Sequence, residues 1–381
     1  MTKDITLDVF LILGISNGGL FLARQLRKQW PNAAIYAVGN PDDIGQYSNT
    51  LNRFYPASSD EDILARINEI IAIANGNRVK TFMCSNPMLE FVVLHHPELF
   101  EKLVFENSYE IYRRIVDKSE VDKLCRFLKM IRPEEYELND LDDATIRFPV
   151  VVKPLEKINA KGASKCAYLN TRDELKAYMG KMSRMNIDPQ YLVCQQLVKG
   201  DNRWEYGYGG YFKDGRPIVD IIFHQFIQVP QGLCCYSREM TDSSLRGGIL
   251  RAVQLFLDET RYNGFLEFDI KQDQDSKMLY VLDVNPRPWR SVDMLAGKLG
   301  DSTVFSPMAT DTRVVWRYPY RELFCRKNRK NVSYKLCRLV APGQFVTQLA
   351  LNDKTDKAPF QKQRRSDRKE LLKLIGQKIH K

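Results

Sequence analysis

Long apolar runs are absent from this sequence, and so are the cysteine and histidine spacings of a zinc site. No stretch approaches the roughly 20 apolar residues of a membrane span, although hydrophobic residues make up 44% of the 381-residue chain. The eight cysteines form no CxxC pair and have no histidine beside them, which indicates reduced thiols rather than a metal site or a disulfide framework. The start, MTKDITLDVFLILG, lacks the apolar core and cleavage site of a signal peptide. These absences favour a cytoplasmic globular protein of two or three domains.

Positive charge is concentrated near the C-terminus. The formal net charge is +10. Residues 326–381 contain 16 Lys and Arg against 4 Asp and Glu, a net of +12, which leaves the preceding 325 residues at −2. A basic domain is typical of nucleic-acid binders, but here the excess belongs to the terminal segment. No zinc finger, basic zipper or RNA-binding aromatic signature accompanies it, so we expect no nucleic-acid partner.

The first third of the chain has the pattern of an α/β domain. A continuous apolar run at 9–14 is followed by a helical stretch and a second apolar run at 33–38, which predicts a βαβ unit with buried parallel strands. Gly14, Gly18 and Gly19 allow a tight strand-to-helix turn. Their spacing is not a full GxGxxG, so we expect no dinucleotide site.

Residues 264–288, GFLEFDIKQDQDSKMLYVLDVNPRP, predict a β-hairpin that carries three oxygen donors. Residues two apart on a strand point to the same face, so Asp283 and Asn285 can share a ligand. An antiparallel partner strand can place Glu267 opposite them. Carboxylate and amide oxygens suit Mg²⁺, and Arg287 extends the same row toward a phosphate.

Two upstream lysines are candidates for phosphate contacts. Lys153 closes the β-branched run FPVVVKP, where a lysine is costly to desolvate unless an anion meets it. Lys118 follows Asp117, the N-cap candidate of a predicted helix. The loop NAKGAS at 159–164 has small residues whose backbone amides can cover phosphates. For each lysine, an ordinary surface position is the alternative.

Together these motifs resemble the ATP-grasp superfamily, whose metal site has an acidic residue on one strand and an acidic-x-Asn-x-Arg run on the next. The resemblance implies that Glu267, Asp283 and Asn285 hold Mg²⁺, with Mn²⁺ as an alternative ion. It implies a catalytic contact of Arg287 with the phosphate or acyl phosphate. Asp283 stands where the family usually has Glu, which puts the bridging of two metal ions in question. Asp269 is interpreted as an ordinary solvated acid.

The resemblance also implies a nucleotide site. The implied nucleotide-binding residues are Lys118, Lys153, Lys161, Gln195, Gln196, Leu197, Val198 and Asp201. The lysines would contact phosphates, and the four residues from Gln195 would form the hinge whose backbone meets the adenine. Asp201 would contact the ribose, with Glu205 as its competitor. Asn86, after the predicted strand at 81–84, either faces substrate or belongs to a plain turn.

The fold implied by the resemblance is α/β, with the α+β arrangement of ATP-grasp proteins. A Rossmann-like pre-ATP-grasp domain is expected at residues 1–112 and a two-lobed ATP-grasp domain at 113–310. The small nucleotide lobe is placed at about 145–200. Residues 311–381 are expected to form a basic extension with an amphipathic helix.

The NPRPW run resembles the branch of predicted carboxylate-amine ligases and short carbamoyl-phosphate-synthase-like proteins. The resemblance implies that ATP phosphorylates a small-molecule carboxylate and that an amine attacks the acyl phosphate. A bicarbonate-activating enzyme of the carbamoyl-phosphate type is one alternative, but the chain has neither a repeated ATP domain nor an amidase signature. A non-catalytic nucleotide-binding adaptor is another. A homodimer is left open.

The end of the chain has helical periodicity. Leu371, Leu372, Ile375 and Ile379 recur at helical spacing among many Lys and Arg residues. Such a basic amphipathic helix could make peripheral contact with an anionic membrane or an acidic partner. A solvated or loosely packed terminal helix is the alternative.

Overall fold

The structure is a computed structural model, and its described strands form three sheets. The described residues are 8–155, 162–163, 166–228, 234–308, 310–318 and 345–379, the last of these without side chains beyond 369. The strands are β1 (Val9–Leu13), β2 (Ala34–Gly39), β3 (Arg53–Pro56), β4 (Val79–Met83), β5 (Glu135–Tyr136), β6 (Val150–Pro154), β7 (Ala167–Leu169), β8 (Leu192–Gln196), β9 (Glu205–Lys213), β10 (Arg216–Gln228), β11 (Cys234–Glu239), β12 (Gly264–Gln272), β13 (Leu279–Asn285), β14 (Arg313–Arg317) and β15 (Phe345–Leu349). The α-helices are α1 (Asn17–Gln29), α2 (Asp60–Ile73), α3 (Asn86–Glu90), α4 (Leu99–Lys102), α5 (Tyr109–Val116), α6 (Lys118–Phe127), α7 (Arg172–Arg184), α8 (Ser243–Thr260), α9 (Met294–Leu299) and α10 (Ala358–Ile379).

The N-terminal sheet is parallel, with strand order β3-β2-β1-β4. All of β1 is buried, and its alternate side chains belong to two different hydrophobic clusters, as in a strand covered on both faces. The predicted βαβ unit is confirmed by β1, α1 and β2. Gly14 has a φ of +88°, and a Cβ on Gly19 would lie 2.1 Å from the Gly14 carbonyl oxygen. The turn therefore requires glycine at both positions.

The large sheet has the order β13-β12-β9-β10-β11-β14-β15 and is antiparallel except for its last pair. The turn between β9 and β10 contains Asp214 and Gly215, which both have positive φ angles (51° and 72°). The sequence Lys213-Asp214-Gly215 is a typical hairpin turn signal, and this geometry is the turn it favours. The helix predicted after Asp117 is also confirmed as α6, because the Asp117 side chain accepts hydrogen bonds from the N–H groups of Ser119 and Glu120.

The small sheet, β5-β8-β6-β7, is antiparallel and has its own hydrophobic core. Val150, Val152 and Cys194 from its strands pack there with Leu175 and Met182 of α7, all fully buried. Lys153 and the proposed hinge therefore lie on neighbouring strands of one small unit. The domain boundaries given above remain proposals.

The C-terminal region is integrated into the body of the protein. β14 pairs with β11, and β15 adds a parallel strand at the sheet edge. Beyond it, α10 packs near Tyr47, whose ring centroid lies 4.8 Å from the Lys362 amine. Leu371, Leu372, Ile375 and Ile379 have no described side chains. Within the described ranges, no helix is long and apolar enough to cross a membrane.

A buried ion pair fastens this region to the N-terminal sheet. Arg24 of α1 donates to Asp356 Oδ2 at 2.9 Å and to the Asp356 and Leu351 carbonyls, and the two side chains are only 9% and 1% exposed. Asp356 also accepts from the Ser48 hydroxyl at 2.7 Å and the Asn49 N–H at 3.1 Å. Because the carboxylate and the guanidinium are both paired and hydrogen-bonded, the buried charges are tolerated.

Asp356→Ala is expected to lower the free energy of unfolding by about 3–5 kcal/mol, because it leaves the Arg24 charge buried without its partner. Chemical denaturation monitored by circular dichroism measures the change. Lys354→Ala, at an exposed position two residues away, is the control and should shift stability by no more than about 0.5 kcal/mol. An Asp356→Ala protein as stable as this control would contradict the anchoring role.

Candidate active site

The pairing of β12 with β13 brings the three predicted metal ligands onto one face of the large sheet. Glu267 lies directly opposite Asn285, and Asp269 lies directly opposite Asp283. Because residues two apart share a face, all four side chains point the same way. Glu267 and Asn285 are only 7% and 3% exposed. The face therefore presents oxygen atoms in a site largely shielded from water.

A β-bulge interrupts β13 beside these residues. Asp269 pairs with Asp283, but Ile270 pairs with Val281, so Leu282 has no opposite residue. The regular alternation of a strand is broken here, since Val281 and Val284, three positions apart, are both buried in the core. The Leu282 carbonyl accepts a hydrogen bond from Lys153 Nζ at 3.3 Å. The carbonyl at the bulge thus joins Lys153 to the strand that carries two of the predicted metal ligands.

Asp283 carries the charge that both of the lysines predicted to contact phosphates act on. Lys118 Nζ donates to Asp283 Oδ1 at 2.5 Å. Burial alone would raise the pKa of Asp283, but the charges of Lys118 and Lys153 outweigh it and hold that pKa well below its usual range. Burial lowers the pKa of Lys153, and Asp283 partly opposes this effect. Two cations therefore converge on one carboxylate from different elements, α6 and β6.

Arg287 connects the metal-ligand face to the N-terminal sheet. Its Nη2 donates to Asn285 Oδ1 at 3.2 Å, and its Nη1 lies 3.7 Å from Glu267 Oε2. Its Nε donates to the side-chain oxygen of Asn86, the first residue of α3. Of the two interpretations of the loop after β4, this contact favours a loop that reaches the active site.

The donor set fits Mg²⁺. Both hydrogen bonds described for Asp283, from Lys118 and from the Val284 N–H, go to Oδ1, which leaves Oδ2 for a cation. In the part of the chain that the structure describes, no three His, Cys, Asp or Glu side chains form a metal-binding group. The predicted set instead has two carboxylates and an amide. Mg²⁺ commonly takes such a partial protein set and completes it with phosphate oxygens and water.

The proposed hinge is held by hydrogen bonds on both sides. Gln195 Nε2 donates to Glu135 Oε1 at 2.5 Å. The N–H of Gln196 donates to the Glu134 carbonyl at 2.8 Å, and the N–H of Leu197 donates to the Pro149 carbonyl at 3.1 Å. These two N–H groups are therefore used within the protein. Among Gln196, Leu197 and Val198, only the Val198 N–H and the backbone carbonyl oxygens are then left for an adenine contact.

The two ribose candidates both have partners within the chain. Asp201 is exposed and pairs with Arg203 Nε at 2.9 Å. Glu205 lies 3.3 Å from Lys271 Nζ, and Lys271 occupies the directly opposite position on β12. Neither arrangement identifies the ribose ligand. Lys161, predicted to contact phosphates, lies outside the described residues.

Two residues at the site were missed by sequence reasoning. Asp269 is not the solvated acid expected, because it is partly buried and accepts hydrogen bonds from Gln225 at 3.1 Å and Asn285 at 3.4 Å. Its spacing of two residues from Glu267 was a usable signal. Arg132 acts electrostatically on both Asp283 and Lys153, but no local sequence pattern marks it.

Comparisons with known proteins identify similar chains. The chain matches no protein-family model. It is 20% identical to a D-aspartate ligase of Enterococcus faecium (strain Aus0004) over 298 residues, which cover 69% of this chain and 70% of that protein. Its structure resembles that of an L-amino acid ligase from Bacillus licheniformis with a TM-score of 0.60, at 14% identity over 78% of this chain and 72% of that one.

A second similar structure is the ADP complex of an N5-carboxyaminoimidazole ribonucleotide synthetase. Its TM-score is 0.62 at 11% identity, and the match covers 83% of this chain and 82% of that one. At such identities the structural likeness shows the fold alone. The α/β fold class expected from the sequence is thereby confirmed.

Lys153→Met is expected to weaken ATP binding roughly tenfold or more, because a charge-assisted contact with phosphate contributes about 1.5–3 kcal/mol. Isothermal titration calorimetry with ATP and Mg²⁺ measures the affinity. Lys123→Met, which changes an exposed lysine of α6, is the control and should bind as the unaltered protein does. If Lys153→Met binds ATP as tightly as the unaltered protein, Lys153 is an ordinary lysine without a phosphate contact.

Proposed function

We propose that this chain, which has the ATP-grasp fold, is an ATP- and Mg²⁺-dependent ligase that joins a small-molecule carboxylate to an amine. The observation that carries the proposal is the convergence of metal donors, two lysines and Arg287 on one sheet face. The similar proteins support it, because they are named as a D-aspartate ligase, an L-amino acid ligase and a synthetase bound to ADP. We infer an amino acid or a similarly small acid as the carboxylate substrate.

The lysines hold the nucleotide phosphates. Lys118 forms an ion pair with Asp283, and the Lys153 amine, bonded to the neighbouring Leu282 carbonyl, acts on Asp283 through its charge. Phosphate oxygens entering beside Asp283 therefore meet two positive charges already in place. Little reorganisation is then needed when charge develops during transfer. Mg²⁺, bound by Glu267, Asp283 and Asn285, would supply charge neutralisation between the transferring phosphate groups.

Arg287 orients the acceptor. Its guanidinium is held by Asn285 on one side and by Asn86 on the other. Its remaining N–H groups can then bind an anionic group. A carboxylate placed there attacks the γ-phosphate, and ADP leaves. The amine then attacks the resulting acyl phosphate, and phosphate leaves. Such transfer depends on positioning and charge stabilisation rather than on a protein nucleophile. His224 is consistent with this, since burial lowers its pKa to about 4 and its Nε2 pairs with the Asn202 carbonyl.

The double variant Asp283→Ala with Asn285→Ala is expected to abolish Mg²⁺-dependent ATP turnover while the protein stays folded. Removing both side chains takes away two of the three proposed metal ligands. The assay combines ATP, Mg²⁺ and D-aspartate or the common L-amino acids, and it measures phosphate release together with hydroxamate formation from added hydroxylamine. Hydroxamate reports an activated carboxylate directly.

Asp273→Ala with Asp275→Ala is the matched control, because these acids lie in the turn of the same hairpin. It should retain turnover. Near wild-type turnover in the Asp283 and Asn285 double variant would reject the metal assignment. Absence of both phosphate release and hydroxamate with every acid tried would count against the ligase itself.

We further propose a cytoplasmic location, where ATP is supplied, and peripheral contact of α10 with an anionic membrane. Arg365, Arg368 and Lys369 are exposed, whereas Asp367 on the same helix is buried. The described part of the helix therefore presents basic side chains to solvent. Mn²⁺ is retained as an alternative metal ion.

Replacing Arg365, Arg368 and Lys369 with Glu is expected to remove salt-sensitive binding to vesicles that contain phosphatidylserine. Each basic residue near an anionic surface contributes about 1 kcal/mol, and ATP turnover should stay unchanged because the site lies on other elements. Co-sedimentation at low and high salt measures binding, with Lys181→Glu on α7 as the control. If the unaltered protein does not bind at low salt, the membrane role is rejected.

A further inference from the structure

A carboxyl group outside the metal-ligand face shares a small cavity with Arg287. The cavity has a volume of about 10 Å³, and Cys84, Glu106, Tyr112 and Tyr262 line it together with Arg287. This volume accommodates about one water-sized group, which is also the size of an ammonium or amino group. The guanidinium thus has the metal donors on one side and this cavity on another.

Glu106 lies at the carboxyl end of the N-terminal sheet. Val104 extends that sheet beside β4. Its carbonyl accepts a hydrogen bond from the Thr81 N–H at 2.8 Å, and its own N–H donates to the Val79 carbonyl at 3.0 Å. Two residues later the chain places Glu106 in the crevice that open α/β sheets commonly use for ligands. Asn86 follows β4 at the same end of the sheet. The crevice therefore faces Arg287 from two neighbouring loops.

The surroundings of Glu106 leave its charge unbalanced. Its Oε1 accepts a hydrogen bond from the Tyr211 hydroxyl at 2.5 Å. No ion pair to Glu106 occurs among the residues described. Gly264 has a φ of +99°, and a Cβ there would lie 2.3 Å from Glu106 Oε2, so the backbone of β12 makes room for the carboxyl. Arg287 lines the same cavity but forms no ion pair with Glu106 in the described structure, so the carboxylate can still accept a cationic ligand.

Glu106 is the group here that changes charge near neutral pH. Burial raises its pKa to about 7, and the Tyr211 hydrogen bond partly opposes this. Burial also raises the pKa values of the facing Cys84, Tyr112, Tyr211 and Tyr262, which therefore stay protonated and neutral. Arg287 is the cation that faces the cavity. A proton acceptor works best when its pKa lies near the working pH.

We propose that Glu106 receives the amino group of the amine substrate in this cavity and takes one of its protons, which prepares the nitrogen to attack the activated carboxylate beside Arg287. The proposal rests on the ligase function proposed above. The amine enters as an ammonium ion with three N–H protons. Glu106 takes the first proton. The neutral nitrogen then forms the C–N bond to the acyl carbon while the C–O bond to phosphate breaks. The second proton is transferred to the departing phosphate. The third remains on the amide, and Glu106 returns its proton to water.

Glu106→Gln tests the proton transfer, because it keeps the size of the side chain and its acceptor for Tyr211. Two water-sized nucleophiles serve as probes with one activated carboxylate. Near neutral pH ammonium is protonated and needs a base, whereas hydroxylamine is mostly neutral and does not. We expect Glu106→Gln to lower the ammonium-dependent rate of amide formation about 100-fold and to leave hydroxamate formation within about twofold. Glu101→Gln, at an exposed position of α4, should change neither rate.

Equal effects on the two nucleophiles, or no effect on either, would overturn the role of Glu106. If the unaltered protein forms hydroxamate with none of the acids, the ligase proposal fails instead. Tyr211→Phe provides a further test through the pH dependence of the reaction, which would not change if Glu106 had only a structural role. Loss of its hydrogen bond raises the pKa of Glu106, so the pH dependence of the ammonium reaction should shift upward.

A measurement without turnover covers the case in which no substrate is found. Infrared difference spectra between the unaltered protein and Glu106→Gln follow the protonation of this carboxyl with pH. Ammonium chloride should lower its apparent pKa, since a bound cation favours the ionised form. Tetramethylammonium chloride, which is too large for the cavity, should not. An apparent pKa that both salts leave unchanged would reject the ammonium site.

Discussion

The register between β12 and β13 is the constraint on which the site depends. A slip of one residue would move every donor to the opposite face of the sheet, so Glu267 and Asn285 face one another only in the observed pairing. The buried side chains of Phe268 and Val284, which point the other way into the core, fix this register through the burial of apolar surface. Core packing on one face thus determines the positions of the proposed metal donors on the other.

Charge balance around Asp283 follows from that register. A carboxylate in a poorly solvated place is unfavourable unless cations approach it, and Lys118 and Lys153 do so from α6 and from the small sheet. The bulge at Leu282 has a part in this arrangement, because it exposes a carbonyl to which Lys153 bonds. The same two lysines would otherwise be costly to bury. In the proposed function, phosphate groups bound there would replace Asp283 as the partner of these lysines.

The N-terminal sheet contributes to the site through its carboxyl end. Asn86 holds Arg287, and Glu106 lines the cavity beside it. A Cβ on Gly18 of α1 would lie 2.8 Å from the Pro288 carbonyl, so the chain after β13 and the N-terminal domain are closely packed. At the far end of the chain, the buried pair of Arg24 and Asp356 fastens the C-terminal region to the same sheet. The N-terminal part of the chain therefore contacts both the proposed site and the C-terminal region.

Local patterns in the sequence were sufficient to predict the strands and helix around the site, and they supplied the metal-ligand proposal for Glu267, Asp283 and Asn285. The period of two along residues 264–272 and 279–285 predicts strands, and the capping signal of Asp117 predicts α6, because side-chain alternation and capping act over a few residues. The sequence could not reveal the bulge at Leu282, the approach of Arg132 to Asp283, or the cavity of Glu106. Each of these depends on contacts between residues far apart in the chain. Such contacts form only when three sheets pack together and exclude water, and no short stretch of sequence encodes that packing.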